Sequence, residues 1–383
     1  MRVLVLNDHQ RLSPRIECEI DTLAERYDVS VLCWDRSGTA EPDENSEYVT
    51  LPAPSGSLLL ALYLPLLYLK LYGRISRTDC DVLHVTHIMF LPLAAVVGTA
   101  TNVQVVYDVY ERHAIEISYY FPASKHVRQL LEQFENVCVR ATDLVLTVDT
   151  PDDMLADRYR SVQSHVEVLY NVPTVGTPTP NAELESRLAD KEVLVYVGNI
   201  SEAKGVRQML RAFETVATHR PDAYLLLIGS YQDSQAPVEA SIEAAGLEDR
   251  VEHVEWLPYD EMMTYLAVAD IGLALHQPRE KFRYVSTGTG RKFFTYMQAG
   301  LPIVGPEQYE IGEVVRDTGC GELVDTTDPD AIATAIEGLL ADDGRRQELG
   351  ERGRTAIETR YNWGHESETL LDQYERLARH TDR

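Results

Sequence analysis

Lysine and cysteine are scarce in this sequence, and each scarcity excludes a class of protein. Only six of the 35 basic residues are lysine, and 61 acidic residues bring the net charge to −26. A negative field of this size repels nucleic acid, so we expect no nucleic-acid partner. The five cysteines are scattered and show no C-x-x-C spacing. This argues against a disulfide framework or a zinc site and favours a reducing compartment.

The acidic, lysine-poor composition also bears on the source of the protein. Such a surface suits a cytoplasm with very high salt, where counter-ions screen the repulsion between like charges. We infer a halophilic, haloarchaeal source, and an ordinary acidic protein from a mesophile is the alternative. Unfolding measured from low to molar KCl separates the two, because only the halophilic protein gains stability from salt.

Long hydrophobic runs are few, and the apolar run at residues 57–72 is shorter than the ~20 residues that span a bilayer. It is apolar on every face, which fits either a helix buried in the first domain or a helix that docks on a membrane surface. If the helix docks on a membrane, three tyrosines would lie at the level of the lipid headgroups: Tyr63, Tyr68 and Tyr72. Arg74 and Arg77 would then reach the lipid phosphates. Met1–Asn7 has the pattern of a strand rather than of a signal peptide. We therefore expect a cytoplasmic protein, peripheral on the inner face of the cell membrane if the run docks.

Short buried strands alternate with helices along the chain. Runs such as Val193–Val197 are typical of parallel strands covered on both faces. The alternation pauses at the Pro-rich stretch 173–180 and then restarts. We predict an α/β protein with two Rossmann-like, doubly wound domains facing a central cleft, at residues 1–175 and 176–362, and a helix at 363–383 that crosses back to the first domain. In such sheets ligands bind outside the carboxyl ends of the strands.

Two basic, glycine-led turns lie in the predicted second domain. The first runs from Gly198 to Lys204 between a strand and a helix, and the second, Ser286–Lys292, leads into a helix with Arg291 and Lys292 in its first turn. Free backbone N–H groups and the positive end of the helix dipole face an anion at such a place. Two such turns at one edge of a sheet predict a clamp for a single diphosphate.

These segments resemble family 4 glycosyltransferases. Residues 292–302 are similar to the Lys-x-x-Glu-Tyr-Met-x-x-Gly-x-Pro pattern of the family's donor-site helix, with every position except the Glu in place. Further similar segments follow in the family's order over essentially the whole chain: Val105–Glu111, Ala141–Thr147, Tyr170–Pro173, Val254–Leu257, Ala269–Leu273, Gly319–Val324 and Tyr361–Trp363. The resemblance implies the GT-B fold, with the nucleotide-sugar donor held by the second domain and the acceptor held by the first.

The sequence also departs from the family's pattern. A Glu-x7-Glu pair usually contacts the donor sugar and the ribose, and both positions are threonine here, Thr287 and Thr295. A hydroxyl makes weaker contacts to a diol than a carboxylate does. Asn199 stands where the family usually has an arginine. Carboxylates in the loop after Pro302 could substitute for the missing pair, or could be solvated charges: Glu307, Glu310 and Glu313.

The turns, the strand ends and the resemblance give a set of candidate site residues. The catalytic candidates are Lys204, Lys292, Asp108 and Glu111. The donor-binding candidates are Gly198, Asn199, Lys204, Leu257, Thr287, Gly288, Thr289, Gly290, Arg291, Lys292 and Thr295. The acceptor-binding candidates are Asp8, His9, Arg15 and Tyr110. Asp108 and Glu111 would orient an acceptor hydroxyl or the donor sugar, with capping of a helix or loop as the alternative.

The resemblance implies a retaining hexosyltransferase that needs neither a metal ion nor a cofactor beyond the nucleotide sugar, and in which the leaving diphosphate takes the acceptor proton. His84-x-x-His87 lacks a matched third ligand, so we expect no metal there. The leading hypothesis is transfer from a UDP- or GDP-linked sugar to a glycan or a polyprenyl-phosphate-linked acceptor, in polysaccharide biosynthesis or protein glycosylation. A nucleotide-sugar epimerase and a catalytically impaired nucleotide-sugar-binding protein are the alternatives.

Overall fold

The chain folds into two compact α/β units. The structure is a computed structural model, and it describes residues 1–8, 12–40, 46–53, 60–109, 113, 125–148, 154–278 and 290–381. Unit 1 comprises Met1–Asn171 together with Trp363–Arg383, and unit 2 comprises Val172–Asn362. The chain passes from unit 1 to unit 2 at residues 171/172 rather than 175/176, so the Pro-rich stretch lies within unit 2.

Unit 1 is built around a seven-stranded parallel sheet with the order β3-β2-β1-β4-β5-β6-β7. Its strands are β1 Arg2–Asn7, β2 Asp28–Asp35, β3 Ser46–Thr50, β4 Val82–Val85, β5 Gln104–Val109, β6 Leu144–Thr147 and β7 Val166–Val168. Its helices are α1 Pro14–Ala24, α2 Leu60–Ile75, α3 Leu91–Ala100, α4 Lys125–Val139 and α5 Met154–Arg160, and the C-terminal helix is Trp363–Thr381. The predicted alternation of strands and helices is confirmed, and β3 is the strand that the pattern did not reveal.

Helices cover both faces of this sheet, which explains why its strands are continuous apolar runs. Side chains of β1 alternate between two cores, with Leu4 and Leu6 in one and Val3 and Val5 in the other. Helices α2, α3 and α4 contribute to the first core, whereas α1 and the C-terminal helix contribute to the second. The C-terminal helix therefore packs on unit 1.

Unit 2 contains a six-stranded parallel sheet with the order β10-β9-β8-β11-β12-β13. Its strands are β8 Glu192–Val197, β9 Ala223–Ile228, β10 Val251–Val254, β11 Ile271–Leu273, β12 Ile303–Pro306 and β13 Gly321–Val324. Its helices are α6 Ala182–Leu188, α7 Val206–His219, α8 Ala236–Ala245, α9 Tyr259–Leu266, α10 Gly290–Ala299, α11 Tyr309–Thr318, α12 Pro329–Leu340 and α13 Asp343–Thr359, so the C-terminal helix is α14. Asp328 caps α12 by accepting a 3.0 Å hydrogen bond from the N–H of Asp330.

Helix α2 combines features of both interpretations of the apolar run. Leu67 and Leu71 are fully buried, whereas Leu62 and Leu69 are 73% and 71% exposed. The hydroxyl of Tyr68 donates to the carbonyl of Met89 at 2.6 Å, so this ring belongs to the core rather than to a headgroup layer. Within the described residues, no helix combines the length and the apolar content that a bilayer crossing requires.

Candidate functional site

The strand order of unit 2 creates a topological switch point between β8 and β11. From β8 the chain proceeds to β9 and β10 on one side, whereas β11 lies on the other side of β8 and leads to β12 and β13. The two strands pair directly, with Ile271 opposite Leu194. In open α/β sheets the crevice at such a point, outside the carboxyl ends of the strands, is where ligands bind.

The loop after β8 is pressed against the segment that follows β11. Gly205 has φ +84°, and a Cβ atom there would lie 2.1 Å from the carbonyl oxygen of Leu275. Only glycine combines this backbone conformation with so close an approach. The N–H of Gln277 donates to the carbonyl of Ala203 at 3.0 Å and joins the two segments. Residues 202–204 form a turn of 3₁₀ helix, and α7 begins at Val206.

Lys204 and His276 meet where these two segments touch. The Nζ atom of Lys204 lies 3.2 Å from Nε2 of His276, which is buried. Burial and the charges of Lys204 and Lys292 hold the pKa of His276 well below its usual range, so its imidazole is neutral and accepts from the ammonium. The carbonyl of His276 accepts a 2.7 Å hydrogen bond from the hydroxyl of Thr326, which fixes the backbone.

Lys292 reaches the same region from α10. Its Nζ donates to the hydroxyl of Tyr196 at 3.1 Å and lies 4.4 Å from the centroid of that ring. A Cβ atom on Gly198 would come within 3.0 Å of this Nζ, so the glycine leaves the space that the ammonium uses. Burial lowers the pKa of Lys292 to about 7. Part of the population is therefore neutral near pH 7, and an anion bound here would favour the charged form.

Tyr296 holds α10 in place at the switch point. Its hydroxyl accepts from the N–H of Val197 at 2.8 Å and donates to the carbonyl of Leu273 at 3.2 Å, so it bridges the ends of β8 and β11. A Cβ on Gly272 would lie 2.6 Å from the Tyr296 ring, so this glycine makes room for it. The position of Lys292, four residues earlier on the same helix, follows from this anchor.

The remaining donor-site candidates are more dispersed. Asn199 is exposed after β8, and Leu257 is half-buried after the edge strand β10. Thr295 is 2% exposed, which leaves little of it available to a ligand. Glu307 is exposed after β12, as a solvated charge would be. Three further candidates lie outside the described residues: Thr287, Gly288 and Thr289. Three others belong to described helices, but the structure does not describe their side chains: Gly290, Arg291 and Glu310.

In unit 1 the structure pairs two candidates with each other. Asp108 has no exposed surface, and its carboxylate accepts from the Arg15 guanidinium at 3.0 Å. Arg15 also donates to the carbonyl of Leu169 at 3.0 Å. An acceptor could reach Asp108 or Arg15 only after this ion pair opened, so the geometry favours a structural role for both. Asp8 is buried after β1, with Arg36 at 3.7 Å. His9, Tyr110 and Glu111 lie outside the described residues.

Glu19, His84 and Asp108 form a compact buried group whose ligand atoms lie within 4.8 Å of one another. The positive charge inside this group is already supplied by Arg15, which lies 3.0 Å from Glu19 and 3.0 Å from Asp108. Burial and the neighbouring Asp108 raise the pKa of Glu19 to about 8, and burial lowers that of His84 to about 4. The group is therefore close to neutral without a metal ion, and His84 also bonds the hydroxyl of Tyr374 at 2.7 Å.

Sequence reasoning missed His276 and Tyr196 as parts of the site. Tyr196 is an inward-facing residue of β8, and a lone histidine two residues before a proline carries no local signal. Their relevance comes from contacts with Lys204 and Lys292 across 72 and 96 positions of sequence.

Comparison with known proteins places this geometry in context. Residues 182–356, within unit 2, match the family model of glycosyl transferases group 1. Spore coat protein SA of Bacillus subtilis is 23% identical over 258 residues, covering 63% of this chain and 67% of the relative. A GDP-mannose-dependent phosphatidylinositol monomannoside mannosyltransferase of Mycolicibacterium smegmatis is 28% identical over 192 residues, covering 49% of each chain. The chain spans about half to two thirds of the length of the curated relatives it matches.

Solved structures match almost the full length. Sucrose-phosphate synthase from Thermosynechococcus elongatus superposes with a TM-score of 0.75 at 18% identity, over 98% of this chain and 99% of that one. Anabaena HepE in complex with UDP and glucose gives a TM-score of 0.74 at 16% identity, over 98% and 99%. Two parallel-sheet α/β domains with such neighbours confirm the predicted GT-B fold class. Unit 2 is therefore similar in sequence to glycosyl transferases group 1, and the whole chain shares its fold with the solved structures above.

Proposed function

We propose that this protein is a retaining glycosyltransferase that moves a hexose from a nucleoside-diphosphate sugar to a glycan or lipid-linked acceptor. The observation that supports it most is the convergence of Lys204, His276 and Lys292 at the switch point of the unit 2 sheet. Departure of a nucleoside diphosphate places new negative charge on its phosphate oxygens. Two lysine ammonium groups at this place stabilise such charge more in the transition state than in the ground state.

The proposed reaction needs little else from the protein. The leaving diphosphate takes the proton of the acceptor hydroxyl, so neither an enzyme nucleophile nor a separate base is required. The lysines carry the positive charge that the diphosphate needs, and on this basis we propose that the transfer is independent of metal ions. His276 holds Lys204, and Tyr196 holds Lys292, so that the Nζ atoms of both lysines are positioned before the donor binds.

The donor base and the acceptor are proposed only as classes. HepE was solved with UDP and with UDP-glucose, and the mycobacterial relative is named as GDP-mannose-dependent, so both bases belong in a donor panel. For the acceptor we propose a glycan or a polyprenyl-phosphate-linked sugar, in polysaccharide biosynthesis or protein glycosylation, at the inner face of the cell membrane.

A transfer assay over UDP- and GDP-sugars tests the proposal. Lys204→Ala and Lys292→Ala should each lower kcat/KM by about 10²–10³-fold, as removal of one oxyanion donor does in other enzymes. Lys191→Ala is the matched control, because Lys191 is exposed at the opposite end of β8. Equal kcat/KM in the wild type and both site variants would remove the diphosphate assignment.

A nucleotide-sugar-binding protein is the second candidate, favoured by one observation: Thr295, at the position of the usual glutamate, is 2% exposed and uncharged. Calorimetry with the donor panel, followed by a turnover assay with and without acceptor, separates the candidates. Binding without turnover in the presence of acceptor lipids would favour this candidate, and conversion of the donor sugar without any acceptor would indicate the epimerase.

A further inference from the structure

Unit 2 has a second concave surface, which lies between two helices rather than at the switch point. A groove of about 690 Å³ runs between α7 and α8 and ends at the loops that follow β8 and β9. Its volume is within the range of small-molecule sites. Within the described part of the chain, none of Lys204, His276 and Lys292 lines it. The groove is therefore separate from the proposed donor site of the same unit.

The sequence of α8 explains why this space exists. Three of the α8 residues that line the groove have small side chains: Ser241, Ala244 and Ala245. Side chains this short leave a gap where α8 runs beside α7. Val206, Leu210 and Val238 are buried and form an apolar floor.

Polar groups of both signs line the walls of the groove along its length. At one end, the N–H of Glu202 donates to the Asp233 carboxylate at 2.9 Å, and the side chain of Glu202 pairs with Arg207. At the other end, the exposed side chains of Arg211 and Glu214 have no ion-pair partner among the described residues. The lining thus carries three carboxylates and two guanidinium groups, whose charges nearly balance.

Ser201 adds a buried hydroxyl to the same lining. It is 4% exposed, and its Oγ has no hydrogen-bond partner among the described residues, although it precedes the 3₁₀ turn at residues 202–204. Buried hydroxyls are nearly always hydrogen-bonded, and an unpaired one costs free energy. Because Ser201 lines the groove, a ligand there can supply the partner.

This lining distinguishes between classes of ligand. A diphosphate needs clustered cations, and an acyl chain needs apolar walls, so the three carboxylates disfavour both. An extended peptide binds to free backbone groups at a sheet edge, whereas the backbone groups of helices are already hydrogen-bonded. A neutral oligosaccharide fits better. Its hydroxyls both donate and accept along its whole length, and its C–H faces can pack on an apolar floor.

We propose that the groove between α7 and α8 binds a neutral oligosaccharide. From Val206 to Glu214, α7 advances by about 12 Å, which is about the length of two or three sugar residues. Arg211 and Glu214 bind sugar hydroxyls at one end, and Ser201 binds one at the other. The inference concerns binding alone, so it does not depend on the proposed transferase activity.

An array of immobilised neutral and anionic oligosaccharides, probed with the full protein, tests this assignment. We expect the protein to bind neutral oligosaccharides, with an affinity in calorimetry that saturating UDP or GDP does not change. Ser241→Phe places a ring in the groove from an exposed position of α8 and should abolish binding. Ala240→Phe is the matched control, because Ala240 is exposed on the same helix and does not line the groove. This variant should bind as wild type does.

Two smaller changes test the individual contacts. Arg211→Ala should weaken binding about 10- to 100-fold, because a hydrogen bond from a charged group is lost. Ser201→Ala should also weaken binding, yet its urea midpoint should stay the same or rise, since the hydroxyl has no partner in the free protein. A purely structural role for Ser201 would instead lower the midpoint and leave the affinity unchanged.

Three results would overturn the inference. The first is an array on which no neutral oligosaccharide retains the protein. The second is binding that persists in Ser241→Phe, with circular dichroism showing the variant folded, which would place the glycan at another site. The third is binding that UDP or GDP abolishes, or that requires a phosphorylated sugar, which would assign the contact to the donor site or to an anion.

Discussion

The protonation of Lys292 gives a quantitative test of the donor site. With its pKa lowered to about 7 by burial, about half of the Lys292 side chains are neutral at pH 7 and about nine tenths at pH 8. A diphosphate beside Nζ favours the ammonium form and raises this pKa. Donor binding should therefore take up about 0.5 proton at pH 7, about 0.9 at pH 8 and close to none at pH 6.

The direction of the pH dependence follows from the same equilibrium. Because the bound state holds more protons, affinity falls as pH rises, and we expect binding to weaken about fivefold between pH 7 and pH 8. Calorimetry in two buffers of different ionisation enthalpy measures the proton uptake directly. A nucleotide sugar is the right probe, because its diphosphate diester does not itself titrate in this range.

Two variants separate Lys292 from every other titrating group. Lys292→Met should bind donor more weakly, with affinity that no longer depends on pH between 6 and 8. Lys292→Arg keeps its charge at every pH in this range and should likewise show no proton uptake. Uptake that persists unchanged in Lys292→Met, or wild-type binding without uptake at pH 8, would refute the assignment of the diphosphate to Nζ.

Other predictions concern stability. Gly205→Ala should destabilise unit 2 by more than about 1 kcal/mol, because its φ is +84° and the new Cβ would meet the carbonyl of Leu275; an unchanged denaturant midpoint would contradict this. Asp108→Asn should cost about 3–5 kcal/mol in urea unfolding, because it leaves the Arg15 charge without its main buried partner. Burial raises the pKa of Glu366 from 4.5 to about 7, so wild type loses stability as pH rises through that range. Glu366→Gln should not lose it and should be more stable by about 1–3 kcal/mol at pH 8, which thermal scans at pH 5 and pH 8 would test. Finally, if the halophilic interpretation is right, Tm should rise steadily from low to molar KCl, and a flat profile would reject it.

Much of the fold could be predicted because local pattern encodes it. Buried parallel strands are continuous apolar runs such as Val193–Val197, and helices start at caps such as Asp328. Strand β3 was missed because it is a short edge strand of which only Val49 is buried, so its sequence lacks the apolar run. The two lysines of the site were predicted, since both follow glycine-led turns, but their partners were not.

The partners could not be found because they depend on strand order. Lys204 meets His276 only because β11 pairs with β8 rather than with β10, its neighbour in sequence. For Asp108, a candidate catalytic residue of unit 1, the sequence predicted a role in the site that the contacts of the side chain do not favour. Asp108 sits near a strand end, which predicts an accessible carboxylate, yet Arg15 and Leu169 converge on the same place and enclose it.

The sequence by itself determined the alternation of strands and helices and the glycine-led basic turns, because each is encoded by residues close together in the chain. Tertiary structure alone decided which strands are neighbours, and therefore that Lys204, His276 and Lys292 share one sheet edge while Asp108 is enclosed. Net charge and periodicity are sums over the chain, whereas a site or a surface depends on where the fold puts each charge.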